Sequence, residues 1–284
     1  MDKIKTIAIL GSGAMGIDLS LLAALHGFNV LLWHRKDRKI ASERLSNRLD
    51  KYLAKEILDS SENKIAIEKI DVADQLSDLS SADLVIESIS ENLEEKIALF
   101  KEVSASISDD CILVSNTSSF SIDELAQHIK APQNFAGLHF FNPALKMELV
   151  ELISASKTSA ETISTLKNLI SSLGKVFVDV KDSPGFIVNR LMACQIREAI
   201  SLVEESVATP EDIDTAVKLG LAHPIGPLAL ADLIGNDVLL SIFEALYKQT
   251  KSSSFTPPQI LKDMVAKNQL GRKTGQGFFL HETN

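Results

Sequence analysis

A short apolar run, Ile4–Leu10, ends in Gly11-Ser12-Gly13-Ala14-Met15-Gly16, and a helical pattern over Ile17–His26 follows at once. Strand, glycine turn and helix in that order leave few folds open. In the spacing G-x-G-x-x-G the first glycine makes a tight turn. The second lets the backbone approach a pyrophosphate, and the third lets the helix lie against the strand. The helix N-terminus then faces the phosphates with its unpaired N–H groups. Alone, the motif also describes an ordinary glycine-rich turn; its place between a strand and a helix selects dinucleotide binding. Gly11, Ser12, Gly13, Ala14, Met15 and Gly16 are the expected phosphate loop.

The pattern then repeats. A second strand is expected at Asn29–Trp33, a long charged helix over 36–58, and a weak strand at Lys64–Ile67. Further strands are read at Asp83–Glu87, Cys111–Val114 and Val176–Val180, with helices at Leu93–Ser106, Ser121–His128 and Ala160–Leu173. This alternation predicts an α/β fold with a doubly wound, mostly parallel Rossmann-type sheet. The texture changes at Asp182-Ser183-Pro184-Gly185. Beyond it everything reads helical: Phe186–Val207, Pro210–Lys218 and Leu228–Lys248. Two domains are therefore expected, 1–183 for the dinucleotide and an all-helical 184–284 for substrate and dimerisation. The apolar faces of so small a helical domain suit burial in a homodimer.

The bulk numbers remove other classes. A net charge of −9 argues against a nucleic-acid partner. No apolar run approaches the length of a membrane span. A strand beginning by Ile4 leaves no room for a signal peptide. Cys111 and Cys194 give no metal-ligand spacing and no disulfide framework, so no metal and a cytoplasmic location are expected.

Three stretches carry chemistry. The tip of the second strand is where an NAD fold places an acid for the ribose 2′-hydroxyl. Here the tip reads His34-Arg35-Lys36. Arg35 can fork onto a 2′-phosphate, which leans the reading to NADP(H); a solvated basic helix start is the other reading. Ser115-Asn116-Thr117-Ser118-Ser119 ends a sheet strand, where ligands bind in open α/β sheets, although such residues also cap helices well. Finally, His139 and Glu151 lie twelve residues apart, roughly 40 Å if extended. Asn142-Pro143 suggests a reversal between them, and a hairpin centred near Leu145 sets one opposite the other. A carboxylate on one ring nitrogen fixes the tautomer and leaves the other nitrogen to handle a proton, which makes a general base with its orienter. On these residues alone, a structural histidine at a strand end is the favoured reading.

Taken together, these motifs resemble the 3-hydroxyacyl-CoA dehydrogenases, nearest the short 3-hydroxybutyryl-CoA branch, over nearly the whole length. G-S-G-A-M-G is similar to the family's nucleotide loop. E-N-L-E-E-K at 91–96 is similar to the element whose Glu and Lys contact the cofactor, here Glu91 and Lys96. S-N-T-S-S at 115–119 resembles the segment with a substrate-contacting serine, here Ser118, with Asn116 on the cofactor side. H-F-F-N-P…L-V-E resembles the stretch that carries the catalytic pair, His139 and Glu151. D-S-P-G-F-I-V-N-R at 182–190 supplies the matching active-site asparagine, Asn189. H-P-I-G-P-L-A-L-A-D-L-I-G at 223–235 and G-R-K-T-G-Q-G-F at 271–278 resemble family signatures, and Lys273 matches a lysine that reaches the cofactor.

The resemblance implies oxidation of a 3-hydroxyacyl thioester to the 3-oxoacyl form, or the reverse, with His139 as base, Glu151 as orienter, and Ser118 and Asn189 on the substrate oxygens. Two departures stand out. The family default is NAD(H), with aspartate where His34 stands. The family also contacts the CoA nucleotide through a serine and a lysine that align with Asp50 and Ile57; Lys51 and Lys55 are the nearby replacements. That second departure admits an acyl-carrier-protein thioester as the alternative substrate. Separately, a non-catalytic nucleotide-binding relative is the distant alternative.

Overall fold

The computed structural model describes residues 4–282. Its contacts fall into two compact units, Met1–Ser183 and Pro184–Asn284.

The first unit is built on one sheet of eight strands: β1 (Thr6–Leu10), β2 (Asn29–Trp33), β3 (Ile70–Ala73), β4 (Leu84–Glu87), β5 (Ile112–Ser115), β6 (Phe135–Phe140), β7 (Leu149–Ser154) and β8 (Val176–Lys181). Their spatial order is β3-β2-β1-β4-β5-β6-β7-β8. Pairing is parallel except between β6 and β7. The connections are helical: α1 (Ala14–Leu25), α2 (Arg38–Ala54), α3 (Ser60–Lys69), α4 (Leu93–Ser106), α5 (Ile122–Ala126) and α6 (Ala160–Ser172). Central strands such as Leu84–Glu87 and Ile112–Ser115 are buried throughout, as strands covered on both faces must be. The chain runs outward from β1 to β2 and β3, then returns to place β4 on the other side of β1. Ligands of open α/β sheets bind at the carboxyl ends of strands where the order reverses in this way.

Two local expectations fail. The weak strand at Lys64–Ile67 is instead part of α3. Asp59 accepts hydrogen bonds from the backbone N–H groups of Ser61 and Glu62, while Glu62 accepts one from the N–H of Asp59. This capping box starts a helix that runs through the apolar residues, and the strand follows only at Ile70. In the second unit, the helix expected over Leu228–Lys248 is two helices.

That unit holds α7 (Val188–Glu204), α8 (Pro210–Gly220), α9 (Pro227–Ile234), α10 (Asn236–Thr250) and α11 (Gln259–Ala266). Gly235 separates α9 from α10 with φ of +100°, a conformation that a residue with a Cβ rarely adopts. The unit has its own core, including Ile196, Ile200, Leu228, Leu239 and Phe243. Asp232, 1% exposed, accepts hydrogen bonds from the N–H groups of Phe278 and Phe279 and contacts His281 Nε2 at 2.8 Å. The carboxylate thereby fastens the segment after Gly271 to this core. Among the described residues, no helix is long and apolar enough to cross a membrane.

Candidate active site

Glycine chemistry shapes the rim of the cleft at the end of β1. Gly11 has φ of +113°, and a Cβ there would lie 2.5 Å from the carbonyl oxygen of Ser88. A Cβ on Gly16 would lie 1.8 Å from the carbonyl oxygen of Gly11, so only glycine lets α1 sit this close to its own turn. Gly13 differs: a Cβ there would meet nothing within 4 Å. Its bare face is open to a ligand. Gly13 is also the N-cap of α1 and supplies no side-chain cap. Ser12, 2% exposed, has a buried hydroxyl oxygen with no hydrogen-bond partner. Uncapped N–H groups, an open glycine and an orphan hydroxyl together fit a pyrophosphate.

A cleft of about 750 Å³ extends from this loop. Its walls include Gly11–Met15, the β2 tip at His34–Lys36, Ser88–Glu91 after β4, Asn116 and Ser118 after β5, and His139–Asn142 after β6. At the β2 tip, the N–H of Lys36 donates to His34 Nδ1 at 3.1 Å. Burial and the neighbouring Arg44 and Lys36 charges hold the His34 imidazolium below its ordinary range, against a smaller opposing pull from Asp37. Arg35 is exposed and lies 3.9 Å from Glu95. Asp37 is committed elsewhere, accepting the N–H of Lys39 as the N-cap of α2.

Asn116 uses Oδ1 to accept the N–H of Phe140 at 2.9 Å, tying the end of β5 to that of β6. Ser118 donates from its backbone N–H to Glu91 Oε1 at 3.0 Å and from its hydroxyl at 3.4 Å. Glu91 stands on the cleft wall, whereas Lys96, 1% exposed, lies beneath it and pairs with Glu87 at 2.5 Å and Glu91 at 3.2 Å. Burial opposes charge on Glu91, but the Lys96 ammonium and hydrogen bonds from Thr117, Ser119 and Ser118 outweigh it and hold the carboxyl below its ordinary range.

Across the cleft, His139 on β6 pairs in register with Glu151 on β7. This is the register that a reversal centred at Leu145 gives. The side chains meet at 2.7 Å, His139 Nδ1 to Glu151 Oε2, with His139 6% and Glu151 0% exposed. The Phe141 ring packs 4.5 Å from the imidazole. A carboxylate on Nδ1 assigns the proton there and turns Nε2 to proton transfer.

Other sequence candidates lie elsewhere. Lys51 joins Arg44, Asn47 and Arg48 along a shallow groove beside Gly13, while Lys55 caps the C-terminus of α2; neither lines the cleft. Asn189 is the second residue of α7, and Lys273 forms an ion pair with Asp237 within the helical unit. Arg44, not among the sequence candidates, also lines the cleft, and its guanidinium donates to the carbonyl of Ser12 at 3.3 Å. The signal was available. Arg44, Arg48 and Lys51 repeat at helical spacing one residue before the buried Leu45, Leu49 and Tyr52, and so form a basic stripe beside the buried face.

Comparison with known proteins matches two family models: "3-hydroxyacyl-CoA dehydrogenase, NAD binding domain" over residues 6–183, and "3-hydroxyacyl-CoA dehydrogenase, C-terminal domain" over residues 185–281. With the cleft and its His–Glu pair, these define an oxidoreductase that acts on a hydroxyl group and binds a nicotinamide dinucleotide. A 3-hydroxybutyryl-CoA dehydrogenase of Clostridioides difficile is 41% identical over 96% of this chain and 98% of its own. A probable 3-hydroxybutyryl-CoA dehydrogenase of Bacillus subtilis is 40% identical over 99% and 98%. The crystal structure of the (S)-3-hydroxybutyryl-CoA dehydrogenase of Ralstonia eutropha superposes with a TM-score of 0.92 at 38% identity, covering 98% of this chain and 99% of that one. The chain belongs to the 3-hydroxyacyl-CoA dehydrogenase family.

Proposed function

We propose that this enzyme interconverts 3-hydroxybutyryl-CoA, or a similarly short 3-hydroxyacyl-CoA, and its 3-oxoacyl counterpart. The observation that carries the reading is the buried His139–Glu151 contact of 2.7 Å on the wall of the cleft that the glycine loop opens. When bound, the nicotinamide ring accepts or supplies the hydride at C3. His139 takes the C3 hydroxyl proton on Nε2 during oxidation and returns it during reduction. Glu151 holds the ring and stabilises the imidazolium. Ser118 and Asn189 donate to the substrate oxygens as charge builds there. Residues 1–183 serve the dinucleotide, with Gly11–Gly16, Glu91, Lys96 and Asn116 assigned to it, and Lys273 of the second unit is assigned to it as well. Residues 184–284 serve the substrate and a homodimer. Exposed Leu191, Leu219 and Leu221 on and after α7 and α8 supply an apolar surface for a second copy; a monomeric mass in solution overturns the dimer.

The dinucleotide we favour is NADP(H). His34 offers no carboxylate to a ribose 2′-hydroxyl, and the guanidinium groups of Arg35 and Arg44 both line the cleft. Lys51 and Lys55 are assigned to the nucleotide of the thioester in place of Asp50 and Ile57. The relatives described above are CoA enzymes by name, so a carrier-protein substrate has no support beyond that substitution. We place the reaction in the cytoplasm. The test is a grid of initial rates, NADH against NADPH and acetoacetyl-CoA against acetoacetyl carrier protein. Oxidation of NADPH with acetoacetyl-CoA is expected to be fastest. Consumption of neither cofactor with acetoacetyl-CoA overturns the function, and faster NADH turnover overturns the cofactor preference.

A further inference from the structure

Beneath the cleft lies a charged cluster that neither hydride nor proton transfer uses. Glu87, at the end of β4, is 0% exposed. Its Oε1 accepts from Lys96 Nζ at 2.5 Å and from the N–H of Ile89 at 2.8 Å, and its Oε2 accepts from the Ser115 hydroxyl at 2.5 Å. Lys96 is shared: its ammonium also lies 3.2 Å from Glu91 Oε2. Two carboxylates thus divide one buried ammonium. Desolvating three charges is costly and is offset only when the geometry is tight and lone pairs are filled, as they are at Glu87.

The outer end of the cluster does a different job. Glu91 Oε1 collects the Thr117 hydroxyl at 2.5 Å, the Ser119 hydroxyl at 2.8 Å, the Ser118 N–H at 3.0 Å and the Ser118 hydroxyl at 3.4 Å. One carboxylate oxygen cannot satisfy four donors fully. The three shorter bonds hold the turn, and the Ser118 hydroxyl makes the longest and weakest contact. A continuous line of charge therefore runs from the core of the sheet to the serine assigned above to the substrate.

We propose that Glu87 is a positioning residue. Through Lys96 it holds the Glu91 carboxylate in place, and Glu91 fixes the 117–119 turn so that the Ser118 hydroxyl is presented to the thioester. The proposal rests on the substrate role of Ser118. If Glu87 is neutral, the Lys96 ammonium has one anionic partner instead of two. It then draws Glu91 inward, and the hydroxyls of the turn lose their common acceptor. A core staple without this role would change stability and leave the kinetics alone.

The test is Glu87→Gln in the full chain, nearly isosteric and uncharged. KM for acetoacetyl-CoA is expected to rise, and kcat to fall, each by about tenfold, the scale of one hydrogen bond to a charged group. The calorimetric Kd for acetoacetyl-CoA, measured without dinucleotide, should weaken by the same factor. Glu87→Asp, which restores the charge, should recover part of the loss. If Glu87→Gln fails to fold, Ser115→Ala, which removes a hydroxyl donor from the Glu87 carboxylate, is expected to move KM and kcat in the same directions. A lower Tm with parental KM, kcat and thioester Kd in Glu87→Gln overturns the proposal, as does a loss confined to dinucleotide affinity. Ser118→Ala separates the two readings. Parental kinetics there overturn the Ser118 role and this proposal together, whereas an impaired Ser118→Ala beside a parental Glu87→Gln overturns this proposal alone.

Discussion

Replacing Glu151 with glutamine isolates what its charge does for the base. The amide keeps the volume and an oxygen for His139 Nδ1, so ring position and tautomer are largely preserved. What disappears is the negative charge 2.7 Å from a ring that becomes cationic each time it takes the substrate proton. A hydrogen bond to a charged group is worth about 1.5–3 kcal/mol. An upper bound comes from two unit charges about 4 Å apart at an effective dielectric near 20, roughly 4 kcal/mol. With both groups buried, solvent screens little of this. At about 1.4 kcal/mol per tenfold, kcat should fall roughly 10²-fold, and no more than about 10³-fold. The assay is stopped-flow oxidation of reduced dinucleotide with acetoacetyl-CoA, in parallel with the dinucleotide Kd and the thermal midpoint. The loss should appear in kcat, with dinucleotide affinity unchanged. A kcat within threefold of the parent in a folded variant refutes the reasoning, because the carboxylate would then be a structural partner only.

Four further outcomes are expected. His139→Ala should lower kcat by several orders of magnitude with dinucleotide affinity near normal, measured by initial rates and fluorescence titration; unaltered turnover removes His139 from the chemistry. Arg35→Ala should weaken NADPH far more than NADH, so the ratio of the two kcat/KM values should move toward NADH by about tenfold, one charged contact. Gly13→Ala and Gly16→Ala should separate folding from binding. At Gly13 a Cβ meets only open space, so the variant should melt like the parent yet lose dinucleotide affinity, whereas at Gly16 it strikes the Gly11 carbonyl and the Tm itself should drop. Glu91 sets an acid limit. Its folded carboxyl titrates below the ordinary 4.5, so its stabilisation is complete above that pH and is lost as pH falls through the lower folded value. The Tm difference between the parent and Glu91→Gln should therefore hold above the ordinary 4.5 and shrink as the pH falls below it.

The parts legible in the sequence were those fixed by local rules. Asn29–Trp33 and Leu93–Ser106 form with the bounds their patterns predict, because alternation of buried residues and an Asn92 cap decide them within a few residues. Lys64–Ile67 reads as a strand because of its two isoleucines, while the contacts that make it helix belong to Asp59 and Glu62 upstream. The helix expected over Leu228–Lys248 runs through Gly235, whose positive φ makes it a break. Glu87 was legible as a strand residue but not as a buried ion. Its partners come from α4 and β5, nine and twenty-eight residues away, and no local pattern announces such a meeting. Arg44 contacts the glycine loop across thirty-two residues, and only its place in the basic stripe of α2 hints at that contact.

The His139–Glu151 dyad is a long-range contact that could nevertheless be read, and the sheet explains why. Directly opposed residues of an antiparallel pair project from the same face, and the faces alternate along each strand. Leu138 and Phe140 oppose Leu152 and Val150 and share a core with Leu166 and Ile170 of α6. His139 and Glu151 therefore belong to the other face, toward the cleft. A slip of one residue would drive the Glu151 carboxylate into that apolar layer and leave it unpaired. The penalty is several kcal/mol, comparable with the 5–15 kcal/mol that typically holds a whole domain together. The energy that keeps β7 in register thus also keeps the orienting carboxylate on the base. The antiparallel step matters as much. A parallel neighbour would need a crossover of about a dozen residues or more, whereas residues 141–148 suffice to return the chain here. Closeness in sequence made the pair visible, and burial of its flanking residues makes it rigid.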